Sequence, residues 1–179
     1  HDGQLTKSEV RAVTLAALAP TPGDLLWDVG AGCGSISIEW MRADINTKAV
    51  AIEARVDRIA MIGRNAKALG VPDLPVVYGH VPDALSGLDR PDAIFIGGGL
   101  TAAGLKEVCL SALQPGGRLV ANAVTLESVH TLMDWANDLD GALIKRIAVE
   151  RAAPVGRFTA FKPLMTVTQL VWTKPWGTA

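Results

Sequence analysis

A glycine-rich turn at residues 28–35, with the sequence DVGAGCGS, is the feature that most constrains the fold of this chain. It joins an apolar run at 25–30 to an amphipathic stretch at 35–43, which predicts a strand followed by a helix. The helix directs its N-terminal N–H groups toward the space above the turn. The turn therefore predicts a site for a nucleotide-like or carboxylate-bearing cofactor. Three alternating glycines allow the backbone to approach such a ligand closely, and they are Gly30, Gly32 and Gly34.

The spacing of these glycines distinguishes two kinds of cofactor site. A dinucleotide site has the pattern G-x-G-x-x-G, but here Ser35 stands at the position of its third glycine. The pattern DxGxGxG at 28–34 resembles motif I of class I S-adenosylmethionine-dependent methyltransferases, in which the turn wraps the methionine part of the cofactor. Glu53 ends the next apolar run, where a carboxylate can accept hydrogen bonds from both hydroxyls of a ribose. Since both kinds of cofactor carry a ribose, Glu53 does not distinguish them.

Short apolar runs alternate with amphipathic stretches along the whole chain, which predicts an α/β fold with a mostly parallel sheet. Strands are predicted at 25–30, 49–54, 74–79, 92–97, 118–124, 142–150 and 164–172. Helices are predicted at 8–18, 35–43, 55–69, 101–113 and 126–138. Thr6 and Glu9 form a T-x-x-E capping box for the first helix. We expect a loop rich in Pro, Gly and Arg between the last two strands, and a single domain because the chain has 179 residues.

Composition and charge argue against several classes of protein. The formal net charge is −1, which argues against a nucleic-acid or membrane-surface protein, and no apolar run approaches the roughly 20 residues of a membrane-spanning helix. The two cysteines, Cys33 and Cys109, form no CxxC pair and have no histidine cluster beside them. We therefore expect no metal site and a reducing, cytoplasmic compartment. Because the chain begins at His1, we expect it to be a piece of a longer polypeptide.

The chain as a whole resembles the family of cobalamin-pathway methyltransferases that methylate a precorrin at C15 and decarboxylate it. TKSEVRA near the start and NAVTLES after the fifth predicted strand make this assignment specific, whereas the glycine motif identifies only the superfamily. The resemblance implies a Rossmann-like class I methyltransferase fold, with a seven-stranded, mostly parallel sheet whose last strand is antiparallel. The segments that carry it are 6–12, 28–39, 51–55, 79–85, 95–99, 113–128 and the final strand.

By this resemblance, the domain transfers a methyl group from S-adenosylmethionine to C15 of a precorrin, which leaves S-adenosylhomocysteine, and removes CO2 from the ring C acetate. It implies a cofactor half at about 24–100 and a substrate half at about 101–179. It also implies a homotetramer and, in the fused members, a further methyltransferase domain that precedes this one. The cofactor-binding residues that it implies, the last two of them beside the adenine, are Thr6, Asp28, Gly30, Ala31, Gly32, Cys33, Gly34, Glu53, His80 and Val81.

Residues that follow the fourth and fifth predicted strands are candidates for contact with the substrate, since α/β sheets bind ligands at the carboxyl ends of their strands. The glycine run Gly97, Gly98 and Gly99 leaves room for a large flat ring, although it is also compatible with a simple turn. Asn122 could hydrogen-bond the substrate or cap the next helix. Glu127 is a candidate acid–base residue or a partner of the helix dipole.

A basic segment near the carboxyl end is the candidate for holding the substrate. From Arg151 onward the chain has four positive residues and no acid. A precorrin carries several carboxylates, and arginine forks suit carboxylates. We therefore predict that Arg157, Arg151 and Lys162 bind substrate carboxylates, although a solvated loop or an oligomer contact would have the same composition.

Three other functions are compatible with parts of this pattern. A methyltransferase acting on RNA or on another small molecule would have the same cofactor half, although an RNA enzyme would normally be more basic. A dehydrogenase-like protein would bind a nicotinamide dinucleotide at the same turn. A non-catalytic domain would bind the cofactor without turnover.

Overall fold

A seven-stranded sheet between two layers of helices forms the body of the protein, in a computed structural model that describes residues 7–177. The helices are α1 (Ser8–Leu18), α2 (Ser35–Ala43), α3 (Val56–Ala68), α4 (Leu105–Ala112) and α5 (Leu126–Asp138). The strands are β1 (Leu25–Val29), β2 (Lys48–Glu53), β3 (Val76–Tyr78), β4 (Ala93–Ile96), β5 (Arg118–Ala123), β6 (Leu143–Ile147), β7 (Glu150–Val155), β8 (Phe158–Pro163) and β9 (Val167–Thr173).

The strand order of the main sheet is β3-β2-β1-β4-β5-β9-β6. The first five strands in this order are parallel, and β9 runs antiparallel to both of its neighbours. This arrangement confirms the predicted α/β sheet with an antiparallel last strand. The carboxyl ends of β1, β2, β4 and β5 consequently meet at one edge, where the predicted site residues follow them.

Apolar residues on both faces of the central strands explain why helices cover both sides of the sheet. In β1, Leu26 packs into a core with Ile36 and Ile62 of α2 and α3, whereas Trp27 packs into the opposite core with residues of α4 and α5. The strand is therefore buried on both faces. None of the helices between residues 7 and 177 is both long enough and apolar enough to cross a bilayer.

The segment predicted as a loop between the last two strands of the sheet is a β-hairpin, so that prediction was wrong. Strands β7 and β8 pair antiparallel around a turn at Gly156 and form a separate two-stranded sheet. Nearly every residue of the hairpin is exposed. A strand exposed on both faces has no alternation of apolar and polar residues by which it could be recognised. Pro154 and Pro163 also argue against a strand, because proline is uncommon within sheets.

The start of α1 also differs from the sequence expectation. Lys7 takes the N-cap position, and its side chain makes no capping hydrogen bond. Thr6, which was expected to cap this helix and to touch the cofactor, lies outside the described residues. Glu9 pairs with Arg151 of the hairpin.

Candidate active site

The turn after β1 is held against two neighbouring strands of the sheet. The N–H groups of Gly30 and Ala31 both donate to the carbonyl oxygen of Ile52 in β2, at 2.9 and 3.1 Å. Gly30 has a φ of +70° and lies against the turn after β4, because a Cβ atom at this position would be 2.6 Å from the N and Cα atoms of Gly98. Only glycine satisfies both requirements without strain.

Two cavities flank this glycine contact and together form a cleft along the carboxyl edge of the sheet. The larger, of about 410 Å³, extends from the glycine turn toward α1, β5 and β9. The smaller, of about 230 Å³, lies between the ends of β2, β3 and β4. Gly30, Arg58 and Gly97 line both. The cleft can therefore hold an extended ligand that passes across the turn from one cavity into the other.

Glu53, the predicted ribose ligand, is buried at the end of β2 and lines the smaller cavity. Its Oε2 accepts a hydrogen bond of 2.8 Å from the N–H of Gly32, and its Oε1 accepts one of 3.0 Å from the N–H of Arg55. Arg58 lies 3.8 Å from the same Oε2. A carboxylate has about four acceptor positions, so Glu53 is fixed in place with acceptor capacity left for hydroxyl groups.

Asp28, predicted to bind the cofactor, lines neither cavity. It is fully buried, and its Oδ2 accepts hydrogen bonds from the N–H and the hydroxyl of Ser37 in α2. Burial raises the pKa of Asp28 to about 6, the Ser37 hydrogen bonds oppose this increase, and the nearby Glu53 carboxylate contributes to it. Through these hydrogen bonds, Asp28 joins the end of β1 to α2.

The other residues of the turn divide into two groups. Ala31 and Gly32 line the larger cavity. Cys33 is buried outside both cavities, and its carbonyl oxygen accepts a hydrogen bond from Asn65 at 2.9 Å. Gly34 precedes α2 as its N-cap with a φ of +78°. Cys33 and Gly34 thus shape the turn without lining the cleft.

The residues predicted at the adenine and at the flat substrate ring come together around the smaller cavity. His80 and Val81 line it from the segment after β3, and the glycine run after β4 lines it from the opposite side. Val81 contacts that run closely, because a Cβ atom at Gly99 would lie 2.9 Å from its Cγ2. Of the run, only Gly97 reaches the larger cavity. The glycines therefore border the predicted adenine position more than a separate ring site.

Of the two predicted catalytic residues, only Asn122 lies in the cleft. It lines the larger cavity and hydrogen-bonds Thr14 and Gln169. It does not cap α5, whose N-cap is Thr125. Glu127 is exposed in the first turn of α5 and lines neither cavity, so its position suits the helix dipole and not acid–base catalysis.

The basic residues predicted to hold the substrate lie on the hairpin, and none lines either cavity. Arg151 forms a bidentate ion pair with Glu9 in α1, with a shortest distance of 2.6 Å. This pairing lowers the pKa of Glu9 to about 2. Arg157 stacks over the ring of Phe158, 5.0 Å from its centre. Lys162 is exposed opposite Arg151 in the hairpin.

Sequence reasoning missed several residues that line the larger cavity. Lys7 and Arg58 bring two positive charges to it, and no acid is among its described lining residues. Lys7 belongs to the TKSEVRA segment, so the resemblance carried by that segment could have indicated it. Arg58 could not be recognised from its neighbours in the sequence, because it reaches the cleft only through the packing of α3. The other lining residues that were missed are apolar, namely Val10, Ile36, Phe95, Val124, Met165 and Val167.

The chemistry available in the cleft is binding and positioning. It offers a fixed carboxylate, backbone N–H groups, two cations and an amide, beside apolar side chains that exclude water. Among residues 7–177, no group of three or more His, Cys, Asp or Glu side chains is placed to hold a metal ion. The arrangement suits a reaction in which two bound molecules exchange a group directly.

Comparison with known proteins agrees with this geometry. The precorrin methyltransferase domain family matches residues 1–174. A precorrin-6Y C(5,15)-methyltransferase (decarboxylating) from Sinorhizobium sp is 57% identical over 97% of this chain and 42% of that protein. A probable cobalt-precorrin-6B C(15)-methyltransferase (decarboxylating) from Pyrobaculum calidifontis is 32% identical over 92% of this chain and 87% of that protein.

A solved structure shows the same fold. The C-terminal domain of precorrin-6Y C5,15-methyltransferase from Rhodobacter capsulatus has a TM-score of 0.85 and 44% identity, and covers 97% of this chain and 92% of that one. The chain spans less than half the length of the Sinorhizobium relative. The Rossmann-like methyltransferase fold and the resemblance inferred from TKSEVRA and NAVTLES are both confirmed. The chain belongs to the precorrin methyltransferase domain family.

Proposed function

We propose that this domain transfers a methyl group from S-adenosylmethionine to C15 of a precorrin and removes CO2 from the acetate on ring C. The observation that carries the proposal is Glu53, which is fixed above the glycine turn in a cleft that continues into a second, cationic cavity. The family membership and the relatives' names support this choice of substrate.

The residues of the cleft fit this cofactor. The contact between Gly30 and Gly98 keeps the turn free of side chains where the ligand must cross it. Glu53 offers acceptors for the ribose hydroxyls, and His80 and Val81 border the space for the adenine. Ala31 and Gly32 face the larger cavity, where the methionine portion would lie. When bound, S-adenosylmethionine supplies an activated methyl group on a positively charged sulfur.

The contribution of the protein is to position the substrate and exclude water. Methyl transfer requires the accepting carbon at about 3–3.5 Å from the methyl group and in line with the bond that breaks. Lys7 can pair with a carboxylate in the larger cavity, Arg58 adds positive charge there while it lies 3.8 Å from Glu53, and Asn122 can hydrogen-bond the substrate. The electrons of the breaking C–CO2 bond enter the conjugated macrocycle, so decarboxylation requires no nucleophilic side chain.

The larger assembly is part of the same proposal. We propose a homo-oligomer, a tetramer by family resemblance, and the exposed side chains of Val155 and Phe158, which share one face of the hairpin, offer an apolar surface for it. A preceding methyltransferase domain in the same polypeptide fits the length of the Sinorhizobium relative. A cytoplasmic location fits the two free, buried cysteines.

Anaerobic incubation with S-adenosylmethionine and the reduced precorrin that precedes C15 methylation tests the proposal by mass spectrometry. We expect a product that gains one methyl group and loses one CO2. A product that has lost one CO2 but gained no methyl group would mean that another domain carries out the methylation. An unchanged precorrin, with S-adenosylhomocysteine still bound in a parallel titration, would contradict the proposal and favour a methyltransferase of another substrate or RNA.

A further inference from the structure

A buried polar cluster lies behind the wall of the larger cavity. It consists of Thr14 in α1, Asn122 in β5 and Gln169 in β9, and both Thr14 and Gln169 are completely buried. Asn122 and Gln169 lie directly opposite each other in the antiparallel register, so both side chains point to the same face of the sheet. Helix α1 packs on that face and brings Thr14 to both amides. Only Asn122 of the three lines the cavity.

Four hydrogen bonds fix the orientation of the Asn122 amide. Its Nδ2 donates to the Thr14 hydroxyl at 3.0 Å, and its Oδ1 accepts from Gln169 Nε2 at 2.8 Å. Gln169 Nε2 also donates to the Thr14 hydroxyl at 3.1 Å, and that hydroxyl donates to the Val10 carbonyl at 2.8 Å. Thr14 thereby uses its one hydrogen and both lone pairs. A flipped Asn122 amide would direct its oxygen at a hydroxyl that has no hydrogen left to donate.

We propose that Thr14 and Gln169 are positioning residues that hold Asn122 as a hydrogen-bond donor toward the substrate. The amide has two Nδ2 hydrogens, and within residues 7–177 the second has no acceptor. Asn122 lines a cavity whose described lining residues include the cations Lys7 and Arg58 and no acid, with Arg58 also 3.8 Å from Glu53. The acceptor that we assign to this hydrogen is a carboxylate of the substrate, and the unchanged affinity for S-adenosylhomocysteine expected in the variants below distinguishes it from the carboxylate of the methionine portion, which would lie in the same cavity. This inference rests on the proposed function for the identity of that carboxylate, but the fixed amide does not depend on it.

The packing of Gln169 shows that stability alone does not explain the cluster. Its Oε1 is buried and has no hydrogen-bond partner among the described residues. A buried acceptor without a partner is unfavourable, and an apolar side chain of similar size would avoid that loss. The glutamine therefore keeps one buried acceptor without a partner, while its two donated bonds hold the Asn122 amide and the Thr14 hydroxyl.

The exchange of the Asn122 Nδ2 protons with solvent, measured by NMR in the 15N-labelled protein, tests whether the orientation of the amide is fixed. This measurement requires no substrate. Asn122→Leu identifies the resonances. We expect one Nδ2 proton to exchange slowly because it is bonded to Thr14, and the other to exchange fast because it faces the cavity. In Thr14→Val both should exchange fast, and Thr14→Ser should restore the slow one. Two equally fast protons in the wild type, or no change in Thr14→Val, would overturn the inference.

Steady-state kinetics of precorrin methylation test the consequence for the reaction. Thr14→Val and Gln169→Leu should lower kcat by roughly tenfold, because the substrate is held less accurately, while the affinity for S-adenosylhomocysteine stays unchanged. Thr14→Ser should restore kcat. Thr131→Val is the control, because Thr131 makes the same bond to a carbonyl one turn earlier on the exposed face of α5.

The two tests fail in different ways. Wild-type kcat in both Thr14→Val and Gln169→Leu would overturn the positioning role and leave the proposed function standing. A wild-type domain that does not methylate the precorrin would contradict the proposed function, and the exchange of the Asn122 amide would still decide whether Thr14 and Gln169 fix it.

Discussion

The backbone of Gly30 packs directly against the backbone of Gly98, so that the turn after β1 and the turn after β4 position each other. A Cβ atom at Gly30 would lie 2.6 Å from Gly98 N and Cα and 2.8 Å from its carbonyl oxygen. None of these backbone atoms can move away as a flexible side chain could. Because Gly30 lines both cavities, the contact sets the shape of the whole cleft.

Gly30→Ala should therefore damage both the fold and the cofactor site. The added Cβ atom would clash with the backbone of Gly98, and a φ of +70° is strained for alanine. We therefore expect the free energy of unfolding to fall by roughly 2 kcal/mol or more. Binding of S-adenosylhomocysteine should weaken in calorimetric titrations. Gly63→Ala is the matched control, since that glycine lies inside α3 with open space around it, and it should raise stability by up to about 1 kcal/mol. Equal effects of the two substitutions would contradict the structural explanation.

Glu53→Ala should weaken binding of S-adenosylhomocysteine by roughly 1–3 kcal/mol, because the ribose hydroxyls lose a charged acceptor. Glu53 also holds the N–H groups of Gly32 and Arg55, so Glu53→Gln separates the two effects by retaining one acceptor oxygen. We expect the glutamine variant to be intermediate in affinity and to lose some thermal stability, because its NH2 group must face the N–H of either Gly32 or Arg55. Glu107→Gln, in the exposed first turn of α4, should leave affinity unchanged. Unchanged affinity in Glu53→Ala would refute the ribose role.

Asp28 should make the stability of the protein depend on pH. Burial raises its pKa from 3.8 to about 6, so the folded state holds this proton at a pH at which the unfolded state has lost it. Raising the pH from about 4 to about 7 therefore lowers the free energy of unfolding through this group. Asp28→Asn has no such proton, so its free energy of unfolding does not fall in this way. Between about pH 4 and pH 7, its free energy of unfolding should therefore rise relative to that of the wild type by up to roughly 3 kcal/mol.

Urea denaturation at a series of pH values measures this difference. Asp83→Asn, which removes an exposed carboxylate beside the cleft segment, is the control and should follow the wild type. Parallel stability curves for the wild type and Asp28→Asn over the whole range would show that burial does not perturb this carboxyl group.

The central sheet and the cofactor turn could be predicted because local patterns determine them. Helices α2 and α5 begin and end at the residues expected from the sequence, 35–43 and 126–138. The parallel strands are apolar runs because both of their faces are buried, and the turn at 28–35 has glycines at its left-handed positions. Helix α4 begins at Leu105 and not at 101, because Gly104 has a φ of +79° just before it.

The parts of the site that were not predicted depend on contacts between distant residues. Thr14 and Gln169 are 155 positions apart and meet only when α1 packs on β5 and β9. Nothing in their local sequence distinguishes them from ordinary helix and strand residues. The partner of Arg151 was hidden for the same reason, since Glu9 lies 142 positions away. Residue type alone predicted a substrate contact there, but the structure shows an ion pair between the hairpin and α1.

Arg157→Ala should raise the KM for the precorrin and leave the affinity for S-adenosylhomocysteine unchanged. Arg157 lies at the exposed turn of the hairpin and outside both cavities, so we expect it to contact only the periphery of a large substrate. The matched change Arg64→Ala removes a positive charge from the exposed face of α3 and should leave KM unaltered. A KM equal to that of the wild type in Arg157→Ala would show that Arg157, at the hairpin turn, does not contribute to substrate binding.

Arg151→Ala should loosen the hairpin, because its ion pair with Glu9 joins the hairpin to α1. Arg151 lowers the pKa of Glu9 from 4.5 to about 2, so the pair is fully formed above pH 4.5 and its stabilising contribution is lost as the pH falls toward 2. We expect faster hydrogen–deuterium exchange in β7 and β8 at neutral pH and low salt, with a smaller difference at high salt, where exposed charges are screened. Lys162→Ala removes a charge directly opposite in the hairpin and should leave exchange unchanged. Equal exchange in wild type and Arg151→Ala would mean that other contacts hold the hairpin in place.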